Sequence, residues 1–354
     1  METTAFFLGA APVSWRTVLI GLGVLSFILM LTALRLAQGR RLAAVLIALP
    51  FGAAAALWLG RLIHWYCLSE DYASFGAAMT DLTNGGISLV GALAAAVLTA
   101  WVLMRIGAEK DILGLLDDAA AAGALGIAAG RLGERFGAAD RGKTLVETES
   151  LKRLPFSAPV IHPVSGAEEW RFAAFCAQSL WAFFLFLVLT VRLVSLSRKA
   201  PDLREEKKGN GFLLFLTLYC EGQILLDSTR YDALYLRSNG FVSLEQILCC
   251  AVLTCLLAAL SVRGVRSGGM RRRYPLSWAL FLAGFGLAGY MEYYVQRHSG
   301  AYALAYSLMA VGLAAVFAAL RIAGASPKEL PASPMSITSS PSLALGIPEI
   351  STIN

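Results

Sequence analysis

The stretch LGIAAGRLGERFGAADRG sets Arg131 directly after a run of small residues and follows it with Arg135 and Arg141. Arginine is always charged and its planar fork matches phosphate oxygens. The pattern therefore suits a phosphate-bearing headgroup, with an ordinary basic helix end as the alternative. Gly130, Gly133 and Gly137 let a ligand or a neighbouring helix approach the backbone closely. A second polar group, EGQILLDSTR, carries Glu221, Gln223, Asp227 and Arg230, and steps of four and three put 223, 227 and 230 on one helical face. Asp227 and Arg230 either serve a ligand or neutralise each other. In GRLIHWY, Arg61 and His64 share a face and form an interface anchor beside Trp65 and Tyr66 or a substrate contact. NGGISLVGAL offers Gly85, Gly86 and Gly91 for tight packing or for a headgroup passing alongside. His162-Pro163, followed by Glu168 and Glu169, is a general-base candidate or a loop bystander. Ser243-Leu244-Glu245-Gln246 reads as a helix N-cap.

The elements that carry these residues follow from composition. Of 354 residues 57% are hydrophobic and 15% charged, and the mean hydropathy is +0.64. Soluble proteins carry about 25% charged residues, so a water-soluble domain is excluded. Apolar stretches at 13–34, 43–67, 84–104, 112–130, 171–196, 211–229, 241–262, 276–296 and 301–322 make nine candidate spans, each near the ~20 residues a crossing needs. The fourth, Ala- and Gly-rich with Asp117 and Asp118 near its entrance, is expected to be broken or buried within the bundle. No fixed period repeats, which argues against a solenoid or a duplicated transporter.

With the N-terminus outside, four inner connections are basic, among them Arg35, Arg40 and Arg41, then Arg105 and Lys110, and later Arg271 to Arg273. That asymmetry places the N-terminus outside and the C-terminus in the cytoplasm. The net charge of +6 reflects these inner loops, and no nucleic-acid partner follows from it. The connection 131–170 breaks the pattern: it is an external segment carrying Arg131, Arg135, Arg141, Lys143, Lys152 and Arg153. Residues 323–354 turn to Ser, Pro and Thr, as in a disordered cytoplasmic tail. No cysteine spacing suits zinc or a disulfide framework.

Taken in order, these pieces resemble the prolipoprotein diacylglyceryl transferase family. PVSWRTVLIGLG is similar to its first-helix start, GRLIHWYCLSEDY to its second-helix end and NGGISLVGAL to its Gly-Gly-Met-Ser-Phe-His-Gly-Gly segment. GRLGERFGAADRG resembles the signature Gly-Arg-Ile-Gly-Asn-Phe-Ile-Asn-Gly-Glu-x-x-Gly. VIHPVSGAEEW resembles the His-Pro before the fifth helix, and LYCEGQILLDSTR the Tyr-Gly-x-x-Arg-x-x-x-Glu-x-x-Arg helix. The resemblance covers about 1–262; the helices at 275–322 and the tail lie beyond it.

The resemblance implies an all-α polytopic membrane protein with a seven-helix transferase-like core, two additional C-terminal transmembrane helices and an external head. It also implies a bacterial plasma membrane, phosphatidylglycerol and the lipobox region of prolipoproteins as partners beside membrane lipids, and no cofactor or metal. The lipobox thiol attacks a glycerol carbon and glycerol phosphate leaves, which needs a cation at the phosphate and a base at the thiol. Arg131, Gly133 and Gly142 match the signature and inherit the phosphate-site role. Asp227 stands where the family has Glu, and Arg230 matches the later arginine. Departures are Val90 at a histidine position, Gln223 at an arginine, Glu134 at an asparagine, and Arg16-Thr17 at Tyr-Gly. Arg61, Arg135 and His162 are the substitutes at hand. A family member that binds anionic lipid or lipoprotein without transfer is the alternative. An unrelated transporter would need a polar path to the inner face, whereas these polar residues cluster at outer helix ends.

Overall fold

A computed structural model of the chain describes residues 4–9, 11–80, 88–137, 140–161, 166–198, 202, 207–235, 240–298 and 300–325. Gly85, Gly86, His162 and the tail beyond Ala325 lie outside the described residues. Among those described, nine long helices follow one another: α1 (Trp15–Ala37), α2 (Ala43–Cys67), α3 (Leu89–Arg105), α4 (Ile112–Arg131), α5 (Ala174–Ser197), α6 (Asn210–Ser228), α7 (Leu244–Gly268), α8 (Arg273–Arg297) and α9 (Tyr302–Gly324). Each overlaps one expected span. Six of these, α1, α2, α4, α5, α7 and α9, are long and apolar enough to cross a membrane. Of the rest, α3 has 17 residues, while α6 and α8 bury Glu221, Gln223, Asp227 and Glu292. The chain is a mostly helical, polytopic membrane protein.

Packing is set by small residues, because lipid offers no hydrophobic gain for bringing helices together and close backbone contact must supply the attraction. A Cβ on Gly23 of α1 would stand 2.7 Å from the Gly126 carbonyl oxygen and 2.8 Å from the Gly130 amide of α4. A Cβ on Gly91 of α3 would meet Gly60 of α2 at 2.5 Å, so packing accounts for this member of the NGGISLVG glycines. The α4 helix is unbroken, and half of its most apolar window is buried inside the molecule. Its entrance carboxylates are tethers. Asp117 accepts the Gly209 and Phe212 amides, each at 2.8 Å, and so caps α6 from a neighbouring helix. Asp118 accepts from Gln38 at 2.6 Å and lies 3.5 Å from Arg40. Arg35 pairs with Glu109, and Asp111 binds Arg40 and Lys208, each at 3.1 Å. This ionic belt closes one end of the bundle.

The other end carries the head. An antiparallel hairpin, β1 (Thr4–Leu8) with β2 (Ala11–Ser14), leads into α1, whose first turn is capped by Ser14 accepting the Thr17 amide at 3.2 Å. The expected external loop at 131–170 is folded. A 3₁₀ turn, Leu132–Phe136, precedes β3 (Arg141–Leu145), β4 (Ser157–Ile161) and β5 (Glu168–Ala173), which form an antiparallel sheet in the order β3-β5-β4.

The C-terminal pair is part of the same body. Cys220 and Ile224 of α6 and Cys249, Leu253 and Leu257 of α7 share one buried cluster with Phe281 and Met291 of α8 and Met309 and Val316 of α9. Helices α8 and α9 thus cover the two helices that bring Asp227 and Ser243 to the head end.

Candidate functional site

Arg131 closes α4, and the glycine contacts with α1 fix where that helix ends. Its Nη1 donates to Asp140. Asp140 sits at φ 59°, in the left-handed region that Asp enters more readily than most residues. It is buried and also binds Arg230 Nη2 at 2.9 Å, so one carboxylate joins the two arginines. The backbone brings them together. Beyond α6 the chain runs beside β3: the Lys143 amide donates to the Thr229 carbonyl at 2.8 Å, the Tyr231 amide to the Arg141 carbonyl at 3.0 Å, and Gly142 bridges Arg230. Gly142 must be small here, since a Cβ would lie 2.8 Å from Phe172 Cβ in β5.

Arg230 is fully engaged. Nη1 binds Asp227 at 2.9 Å and approaches Glu245 at 3.6 Å, while Nε binds Asp232 at 3.2 Å. Asp227 also accepts from the Ser243 hydroxyl, and Asp232 from the Asp140 amide at 2.7 Å. Arg131 differs. Among the described residues its only bonded carboxylate is Asp140, through one amino nitrogen, and its side chain keeps 16% exposure. No further hydrogen bond of Arg131 occurs among the described residues, and the Glu245 carboxylate also acts on its charge.

Charge in the head follows from this packing. Burial by itself would raise the Asp140 pKa, but Arg131 and Arg230 outweigh it and hold the carboxyl below its usual range. Burial lowers a guanidinium, yet around Arg230 the carboxylates of Asp140, Asp227 and Asp232 win and raise it. Burial pushes the Lys143 ammonium below the usual lysine range, against the pull of Glu292 and Asp227. Lys143 Nζ donates to the Ser228 carbonyl at 2.9 Å, and no ion pair of Lys143 occurs among the described residues.

The structure therefore joins Arg131, Gly142, Asp227 and Arg230, singled out by sequence as site candidates, with Ser243 and Glu245, which sequence marked only as a helix N-cap, and adds Asp140 and Asp232. Asp140 could have been suspected only as one more charge in GRLGERFGAADRG, because its bridging role depends on the return of the chain after α6. Gly133 packs against α1, where a Cβ would meet the Arg16 carbonyl oxygen at 3.0 Å. Glu134 binds Arg16 at 2.8 Å, and its carbonyl accepts from Arg141 at 3.0 Å. The departures Arg16 and Glu134 thus compensate each other as an ion pair. Gln223 donates to the Tyr219 hydroxyl at 2.7 Å. Arg61 donates to the Ala78 carbonyl and lies under the Tyr72 ring at 5.6 Å, with the short helix Phe75–Thr80 rather than in the Arg131–Arg230 network. Backbone glycines, paired arginines and an acidic bracket thus lie together at one end of a helical, polytopic membrane protein.

The prolipoprotein diacylglyceryl transferase family model matches residues 3–262, and the chain belongs to that family. Among its relatives are proteins named phosphatidylglycerol–prolipoprotein diacylglyceryl transferase from Bacillus licheniformis, 27% identical over 278 residues, and from Bacillus cereus, 27% identical over 283. Each alignment spans 77% of this chain and 96% of the relative. A Clostridium perfringens protein of that name, numbered 1, is 23% identical over 70% of this chain and 90% of its own length.

Proposed function

We propose that this chain transfers a diacylglyceryl group from phosphatidylglycerol to the lipobox cysteine of prolipoproteins, at the outer face of a bacterial plasma membrane. The observation that carries the reading is Arg131, held by Asp140 through one amino nitrogen and making no other hydrogen bond among the described residues. A headgroup phosphate is received there in a bidentate fashion. The lipobox sulfur then bonds to the glycerol carbon, the carbon–oxygen bond breaks with its electrons going to glycerol phosphate, and the thiol proton passes to a base. Arg131 stabilises the charge that grows on the leaving phosphate. Arg230 and Asp227 keep Asp140, and through it Arg131, in place. His162 is the base in this reading, and Gly85 and Gly86 flank the lipid's path. The basic residues at the ionic-belt end support placing that end in the cytoplasm, with the N-terminus and the head outside.

Complementation of a transferase-depleted bacterium, scored by diacylglyceryl modification of a reporter lipoprotein, tests the proposal. Wild-type chain restores modification; Arg131→Ala lowers it at least 100-fold, and Arg131→Lys, which keeps charge but loses the fork, lowers it about tenfold. Absence of modification with the wild type sinks the activity, and full modification with Arg131→Ala sinks the site. Gln223, which sets an amide where the family pattern has arginine, favours a second reading in which the chain binds anionic lipid without transfer. The wild-type arm separates the two.

A further inference from the structure

Helices α8 and α9 lie beyond the 3–262 family match, yet one buried side chain of α8 reaches the site. Glu292 is 4% exposed. Its Oε2 accepts from Gln246 Nε2 at 3.0 Å and its Oε1 from Gln296 Nε2 at 2.6 Å. Gln246 also donates to the Ile224 carbonyl at 3.0 Å, which ties α7 to α6. Through Oε1, Gln246 accepts the Ser243 amide at 2.9 Å, while the Ser243 hydroxyl accepts the Gln246 amide at 3.1 Å; together they form a reciprocal capping box at the start of α7. That same hydroxyl donates to Asp227, which binds Arg230, which binds Asp140, which binds Arg131. Every link from Glu292 to Arg131 is a direct hydrogen bond or ion pair.

We propose that Glu292 is a positioning residue of the transfer site, acting through Gln246 and the Ser243 cap to hold Asp227 and Arg230, so that the C-terminal helix pair is a working part of the enzyme. The inference rests on the transferase reading; its exchange arm, which reads the Ser243 cap directly, does not. Gln246 can serve Ile224, Ser243 and the α7 cap at once only while its amide is kept the right way round, with oxygen toward Ser243 and nitrogen toward α6 and α8. A buried acceptor on α8 enforces that orientation. A flipped amide would set a donor against the Ser243 amide and leave two acceptors unsatisfied.

The test uses the purified full-length chain with dioleoylphosphatidylglycerol vesicles and a synthetic lipobox peptide. Glu292→Ala is expected to lower kcat by roughly 10- to 100-fold, with KM for the lipid changed by less than about twofold. Hydrogen exchange at the Ser243 amide is expected to speed up at least tenfold. Glu292→Gln alone faces two donors with one oxygen and is partly impaired. The double variant Glu292→Gln with Gln296→Glu restores donor–acceptor matching and recovers both kcat and slow exchange. A merely structural glutamate would lower thermal stability and leave kcat and Ser243 exchange unchanged. That result overturns the proposal, as does failure of the double variant to recover either readout. A wild-type chain that transfers nothing sinks the activity reading instead, and the exchange arm still decides the role of Glu292.

Discussion

Asp140 is the residue on which the site turns, because its two oxygens are divided between Arg131 and Arg230. Removing one member of a buried ion group leaves the others uncompensated, at a cost of about 3–5 kcal/mol. Asp140→Asn is therefore expected to lower stability by that amount at neutral pH, read as a fall in the thermal midpoint in detergent. The pH dependence has a definite sign. The arginines depress the folded-state pKa below the unfolded value of about 3.9. The stabilisation is thus complete above that value and drains away as pH falls through the depressed one. The gap between wild type and Asp140→Asn is expected to be constant from pH 5 to 7 on this account and to close in stronger acid. A gap that widens on acidification would contradict it.

At the scale of elements, α1 and α4 meet backbone to backbone, and that contact sets where Arg131 emerges. A methyl on Gly23 would lie within 3 Å of Gly126 and Gly130, so Gly23→Ala must push the helices apart. Overpacking of this kind costs about 1–3 kcal/mol. Gly21, two residues earlier and on the opposite side of the helix, has open space around it. Gly21→Ala is the matched control and is expected to leave the thermal midpoint within a degree or two, whereas Gly23→Ala lowers it and slows transfer as Arg131 shifts. Equal behaviour of the two variants would show that the crossing does not position the site. The head sheet works in the same way, since β3 pairs with the chain beyond α6 and seats Arg230 beside Asp140.

For the molecule as a whole, the described residues give two charged ends joined by apolar packing. The belt of Arg35, Glu109, Arg40, Asp111, Asp118 and Lys208 locks one end, and the arginine–carboxylate network occupies the other. Helices α8 and α9 close the α6–α7 side with the largest buried cluster. A chain cut after Gly268 would bare Leu253, Leu257, Cys220 and Ile224. It is expected to give little monodisperse protein by size-exclusion in detergent, compared with the full chain. A well-behaved truncated protein would show that the pair is an appendage.

Much of this was legible in the chain. Apolar runs of bilayer length located the nine helices, six of which are long and apolar enough to cross a membrane, because a span must satisfy its backbone internally and tolerates few charges. Arg131, Asp227 and Arg230 stood out because charges near hydrocarbon are costly and need a reason. Other features were invisible to a linear reading. Asp140 as the shared carboxylate, the pairing of Arg16 with Glu134, the cap that Asp117 places on α6 and the reach of Glu292 into the site all join residues far apart in the chain. Their partners were chosen by how glycine-lined helices cross and how the head sheet folds back. Sequence determined which segments form long apolar helices and which charges are anomalous; only the tertiary structure decided which charges meet, because an ion pair depends on where two backbones end.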